Sequence, residues 1–392
     1  MQFGMAEFRS MVHGLVAETR RMLMEDLLFG KRGEDVPAVP WHTLRDNPVD
    51  NRPGWSFLQD QRSQLPVNGQ MWLFDRVGQD EATQARFIRP GTGMVPDRKG
   101  IEGYMSQIVE YREKLLVLMH ITGGQPARSP EILSVRHSNT AKGEHRNTFI
   151  EDGMVVFATR YHKGYALSGD VKIIHRYLPR EVGELVVWYL WLVLPFQQDI
   201  EALAWQKKAM SAHMWPADPS GKKWTSERMR RAMKRESVVG LGQELTIQAY
   251  REVAIGISRK YMRGSTTFRM DEEDEDGDWN EDEGAAIADE QAGHTSHIAG
   301  MIYARGVMEQ SGVVASKRQR FRASSITWHR FLGFASSREQ AVAGRGAKRT
   351  AAPFEVETEE ARVDRWKKLR TTDVEEQLSR LYGEGAKLIQ ID

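Results

Sequence analysis

The order of apolar and polar positions divides the chain into a helical beginning, a short run of alternating segments, and a helical remainder. Phe8, Met11, Val12, Leu15, Val16, Met22 and Leu23 recur at three- and four-residue spacing across 7–29. That spacing predicts an amphipathic helix ending near Gly30. A connection rich in Pro, Asn and Gly (37–54) leads to Trp55-Ser56-Phe57-Leu58, and a second helix is expected around 70–77. Residues 91–100 are again rich in Gly and Pro and mark the expected edge of a small helical domain, 1–104.

The pattern changes at Ile101. Ile108, Tyr111, Leu115, Leu116, Leu118 and Met119 predict a strong helix over 107–121, stopped by Gly123-Gly124, with another helix beginning within 126–135. Three short β-type runs follow at 147–151, 154–161 and 171–177, and Asp152-Gly153 is a hairpin signal between the first two. Helical periodicity returns at 181–194, 199–210, 226–235 and 246–262, with no internal repeat. Helix, three-stranded sheet, then helices predicts an α+β domain, mostly helical, over 105–335. The stretch 336–348 reads as a linker within a C-terminal tail, 336–392. Helices are expected there at 357–369 and 373–382, the latter opened by a capping box at Thr372 and Glu375.

Composition narrows the classes. A chain of 392 residues with 40 % apolar residues can build two cores. The start does not read as a signal peptide, and the most apolar stretch, 186–196, is too short to cross a bilayer, so no membrane is expected. Without cysteine there is neither disulfide nor thiolate metal site, which fits a reducing compartment. The net charge of +1 hides a segregation, because 10 of the 13 residues in 271–283 are acidic. Without that run, 55 basic residues face 44 acidic ones, and a basic body is what phosphate contacts require.

Candidate chemistry is concentrated in a few motifs. Gly293-His294-Thr295-Ser296-His297 precedes Tyr303 by a turn and a short apolar run. Arg128 follows the glycine break Gly123-Gly124-Gln125 and stands three residues before Glu131. Lys163 ends a predicted strand in Arg160-Tyr161-His162-Lys163, with Lys172 as its rival. Arg251 lies in Gln248-Ala249-Tyr250-Arg251 on a predicted helix. In this order the set resembles the tyrosine recombinases, which cut and rejoin DNA through a covalent tyrosyl ester. The resemblance covers about residues 105–335. The contexts Tyr161-His162-Lys163, His175-Arg176-Tyr177-Leu178-Pro179 and Trp328-His329-Arg330-Phe331-Leu332 look most like the Crypton type, recombinases of eukaryotic and notably fungal mobile elements.

The resemblance implies roles. Tyr303 would attack the scissile phosphate, Arg128, Arg251 and His294 would hold its oxygens, and Lys163 would protonate the leaving 5′-oxygen. Arginine suits the clamp because its planar fork binds two phosphate oxygens and keeps its proton. Gln248 stands where the family usually has His. A glutamine can donate to phosphate but cannot act as a base. His297 reads as structural. The resemblance further implies an N-terminal domain that clamps duplex DNA, a dimer or tetramer assembled on it, nuclear localisation, and neither metal nor nucleotide cofactor. Two relatives in chemistry remain as alternatives: a domesticated DNA-binding protein of recombinase shape, and a type IB topoisomerase. A helical scaffold with no DNA is the third.

Two charged stretches complete the reading. Lys222, Lys223, Arg228, Arg231 and Arg235 lie on or just before one helix, whose buried edge is Met229 and Met233. They are candidate DNA contacts, as are Lys317, Arg318 and Arg320. The acidic run nearly fits a calcium loop through Glu272, Asp274, Asp276, Gly277 and Glu283. With no strong entering helix, it reads instead as a solvated loop inserted at about 268–287.

Overall fold

The apolar stripe read at the start forms α1 (Met5–Arg21), which widens into a π-turn, Met22–Leu27, before Gly30. The computed structural model describes residues 3–30, 36–91, 95–161, 172–206, 211–218, 220–262 and 311–336. Two short helices follow, α2 (Gly69–Gln79), opened by the Asn68 side chain, and α3 (Glu81–Gln84), opened by Asp80. α4 (Arg98–Thr122) is the longest helix among the described residues and begins well before Gln107. Asp97 caps it by accepting from the Lys99 amide. Gly100 is needed where the helix passes the preceding loop, because a Cβ there would lie 1.6 Å from the Arg86 carbonyl. Part of the Gly-rich stretch that reads as a boundary is therefore helix packed against its neighbour.

α5 (Ser129–Leu133) is a single turn after α4. The sheet then forms as β1 (Thr148–Glu151), β2 (Met154–Tyr161) and β3 (Lys172–Tyr177), antiparallel in the order β1-β2-β3. Asp152 and Gly153 both have positive φ, 47° and 71°, as a tight two-residue hairpin with primed-turn twist requires.

α6 (Arg180–Trp188) runs through a π-turn at Tyr189–Val193 into α7 (Leu194–Trp205). Periodicity alone splits this region around Pro195. The structure carries the helix through, and the wide turn lies just ahead of a proline that has no N–H for the preceding turn. α8 (Ser226–Leu241) is capped by the Thr225 hydroxyl and stopped at Gly242, and α9 (Ile247–Ile257) is capped by Thr246. α10 (Ser311–Leu332) ends at Gly333, φ 88°. The molecule is thus mostly helical with one small antiparallel sheet.

A continuous apolar core includes Phe8, Leu15 and Leu23 from the first hundred residues. It extends through Leu115, Leu192, Met229, Tyr250 and Trp328. Residues before and after position 104 share it, and α4 runs through that position. Phe321 of α10 packs with Met154, Val156 and Tyr177 on the sheet. Asp46, in the connection before α2, forms a buried ion pair with Arg146 before β1, at 2.6 and 2.8 Å.

Candidate functional site

The last turn of α4 is where α9, which carries Arg251, and α10 are anchored. Its terminal carbonyls have no partner within the helix and must be satisfied from elsewhere. The Ile121 carbonyl accepts from Tyr250 Oη of α9 at 2.9 Å and from Trp328 Nε1 of α10 at 2.8 Å. His329 Nε2 lies 2.9 Å from the Thr122 carbonyl and 3.0 Å from that of Tyr177. Burial pushes the His329 ring down to about 4, so near neutral pH it is uncharged and Nε2 carries the proton it donates. The helix with Arg251 and the helix that follows position 303 in the chain are thus pinned to one turn.

Arg128 stands at the exit of the loop that leaves this turn. Gly123 permits the exit, since a Cβ would meet the Met119 carbonyl at 2.9 Å and the Phe157 ring at 3.1 Å. Arg128 is the N-cap of α5, its amide donates to Glu131 Oε2 at 3.0 Å, and its guanidinium is 4.0 Å from Glu131 Oε1. The Arg128 guanidinium is about one-third exposed at the start of this helix.

Beneath the loop lies Arg176, on β3 and only 2 % exposed. Its Nε donates to the Gln125 carbonyl at 3.0 Å and its Nη1 to Thr159 Oγ1 at 2.5 Å. Burial first, and then the charge of Arg251, lower its pKa to about 10 against the opposing effect of Glu131. His120 of α4 is also buried, with its ring 5.3 Å from that of Tyr250 and neither ring nitrogen hydrogen-bonded. Burial first, then the charges of Arg251 and Arg176, depress it to about 3. Arg128, Glu131, Arg176, Arg251 and His120 therefore form one electrostatic neighbourhood with more positive than negative charge. Gln248, one turn before Arg251, is exposed, and its amide donates to Glu252 Oε1 at 3.3 Å. Lys163, His294 and Tyr303 lie outside the described residues, as do His297 and the acidic run.

The second grouping is a cleft of about 700 Å³ on α8. Lys222, Lys223, Arg228, Arg231 and Arg235, read from sequence as one basic set, all line it, together with Glu113, Asp218 and Thr225. The five are not equivalent. Arg228 is held by Glu113 at 2.8 Å and Asp218 at 2.8 Å, and its guanidinium stacks 3.9 Å from the Trp224 ring. Arg235 shares Glu113 at 2.8 Å and also pairs with Glu236. Lys222, Lys223 and Arg231 are exposed. Met229 and Met233 form the buried edge. On α10, Arg318 lies 4.0 Å from Glu151, Arg320 is exposed, and Lys317 belongs to the same helix.

Sequence reasoning gave no role to Arg176, His120 or Glu113. The signal for Arg176 was available: in β3 it alternates with Ile174, so a cation stands at an inward position of a half-buried strand. His120 sits on an apolar helix face and carries no such mark. Among the described residues no group of three or more metal-ligating side chains could hold an ion, and no helix is long and apolar enough to cross a membrane. Comparisons with protein-family models, curated proteins and solved structures find no match to this chain.

Proposed function

We propose that the protein is a DNA strand-exchange enzyme working through a tyrosyl ester, as its motifs' resemblance to tyrosine recombinases implies. The observation that supports this is that Arg251 and Glu131, the carboxylate beside Arg128, both act electrostatically on buried Arg176, although Arg128 and Arg251 are remote in sequence. Guanidinium groups aimed at its oxygens would stabilise a phosphodiester passing through a pentacoordinate state.

In the proposed reaction the Tyr303 oxygen attacks phosphorus and the bond to the 5′-oxygen breaks. Lys163 gives that oxygen its proton, and the products are a 3′-phosphotyrosyl protein and a free 5′-hydroxyl. Attack by a 5′-hydroxyl on the ester reverses the step, so no nucleotide is consumed. A free tyrosine has a pKa of about 10, and the cationic surroundings would favour its ionised form. The exposed cations of the α8 cleft would take up the backbone of duplex DNA. Exchange between two duplexes implies a dimer or tetramer on DNA, and a mobile-element role implies the nucleus.

A nicked duplex that loses its short 5′-fragment after cleavage traps the covalent species. The wild type should yield a protein–DNA adduct stable to denaturant, and Tyr303→Phe should yield none. Absence of adduct with tight duplex binding would favour the second reading, a DNA-binding protein without catalysis. That reading is supported by Gln248, whose amide is engaged with Glu252. Plasmid relaxation by a monomer would point instead to the topoisomerase alternative.

A further inference from the structure

We infer that Arg176 is a positioning residue, a strut that sets the loop bearing Arg128 against strand β2. The inference rests on the proposed strand-exchange reading. Its geometric basis is two hydrogen bonds from one buried guanidinium. Nε holds the Gln125 carbonyl, three residues before Arg128, and Nη1 holds Thr159, four residues before Lys163. No backbone ladder joins the 123–128 loop to β2, so the side chain of Arg176 spans the gap between the two segments.

Residue type matters here. An inward strand position is ordinarily filled by an apolar side chain, as at neighbouring Ile174, and a buried cation is costly to desolvate. The planar fork of arginine fixes two directions at once, whereas an ammonium on a flexible stem makes a point contact. Replacing Arg176 by lysine would keep the charge and lose the fixed angle between loop and strand. The ring of Phe157, which pairs across the ladder with Arg176, leaves no room for a Cβ at Gly123 and closes the same space from the side. Even with its pKa lowered to about 10, Arg176 remains protonated near neutral pH and adds its charge to the surroundings of the half-buried Arg251.

The test uses the full chain and the nicked suicide duplex, with the rate of adduct formation as the readout. Arg176→Lys should slow the rate by about tenfold or more, the scale expected when a clamping group is misplaced by a fraction of an ångström. Duplex affinity should stay within about twofold, since no DNA contact is removed. The deciding measurement is a double-variant cycle with Arg128→Lys. If Arg176 acts through Arg128, the double variant is barely slower than Arg128→Lys alone; losses that multiply overturn the inference. Thr159→Val removes only the Nη1 acceptor while keeping side-chain volume, and it decides the question should Arg176→Lys fail to fold. It should show a smaller loss, again non-multiplying with Arg128→Lys; an unchanged rate counts against the strut. A wild type that forms no adduct overturns the strand-exchange reading itself, and this inference with it.

Discussion

Tyr250 and Trp328 donate to the same oxygen, the carbonyl of Ile121, at 2.9 and 2.8 Å. A carbonyl has two lone pairs, and here each is taken by a different helix. Tyr250→Phe should lower stability by about 1 kcal/mol, the net worth of one hydrogen bond with its acceptor still served by the other donor. Trp328→Phe should cost about 2–4 kcal/mol because it also leaves a cavity. The pair together should cost more than the two separately, since only then is the oxygen bare. Urea unfolding of the four proteins measures this, and strict additivity would mean that the two donors do not share the acceptor.

The Asp46–Arg146 pair fixes the connection before α2 to the start of β1, and both side chains are 1 % exposed. Burial raises the Asp46 carboxyl pKa, an effect that Arg146 and the Ile150 amide oppose. Asp46→Ala would leave a buried guanidinium without its carboxylate, at a cost of about 3–5 kcal/mol. A loss below about 1 kcal/mol in denaturant unfolding would show that water reaches the pair.

Acid should unfold the protein through its histidines as well as its carboxylates. His120, His137 and His329 are buried, and burial depresses them to about 3, 4 and 4 from an ordinary 6.5. A histidine with a lowered folded pKa is neutral in the fold, while the unfolded chain takes up its proton. Its contribution is therefore complete above pH 6.5 and lost as pH falls from 6.5 toward about 4. Three such rings give a slope of roughly 4 kcal/mol per pH unit within that window. Unfolding free energies measured from pH 7.5 to 4.5 would reveal it, and a flat profile would mean the rings are already charged in the fold.

The α8 cleft gives a contrast between cations of one cluster. Lys222→Ala, Lys223→Ala and Arg231→Ala should each reduce the dependence of log affinity for duplex DNA on log salt by about 0.9, with little change in melting temperature. Arg228→Ala should chiefly destabilise the fold, because its guanidinium is held between Glu113, Asp218 and the Trp224 ring. Equal effects on salt dependence from Arg228 and Arg231 would remove the distinction.

What was legible from sequence follows physical range. The hairpin could be read because its turn is local: Asp152-Gly153 is one of few pairs that tolerate positive φ at both positions. The stripe of α1 and the buried Met229–Met233 edge of α8 were equally plain, since a 3.6-residue period needs no knowledge of partners. The start of α4 was hidden by Gly100 and Gly103, weak helix formers; Gly100 is retained because another segment passes close by. The shared core on either side of residue 104 was hidden for the same reason: it is made by contacts between distant segments. The basic set of α8 was legible as a set, but Glu113 lies more than a hundred residues earlier, so the division into held and exposed cations was not. Of the candidate site, Arg128 and Arg251 came from motif order and Arg176 is marked by its inward strand position, while His120 became visible only as a neighbour in space.

The opening helix reaches the far end of the described chain. Arg9 Nε donates to the Phe331 carbonyl at 2.6 Å, His13 Nε2 lies 2.9 Å from the Leu332 carbonyl, and Phe8 stacks on Tyr250 with ring centres 6.2 Å apart. α1 therefore acts as a clasp over the feet of both α9 and α10. Shortening the polypeptide from its start would not peel away an accessory: it would unfasten the two helices on which the proposed chemistry depends.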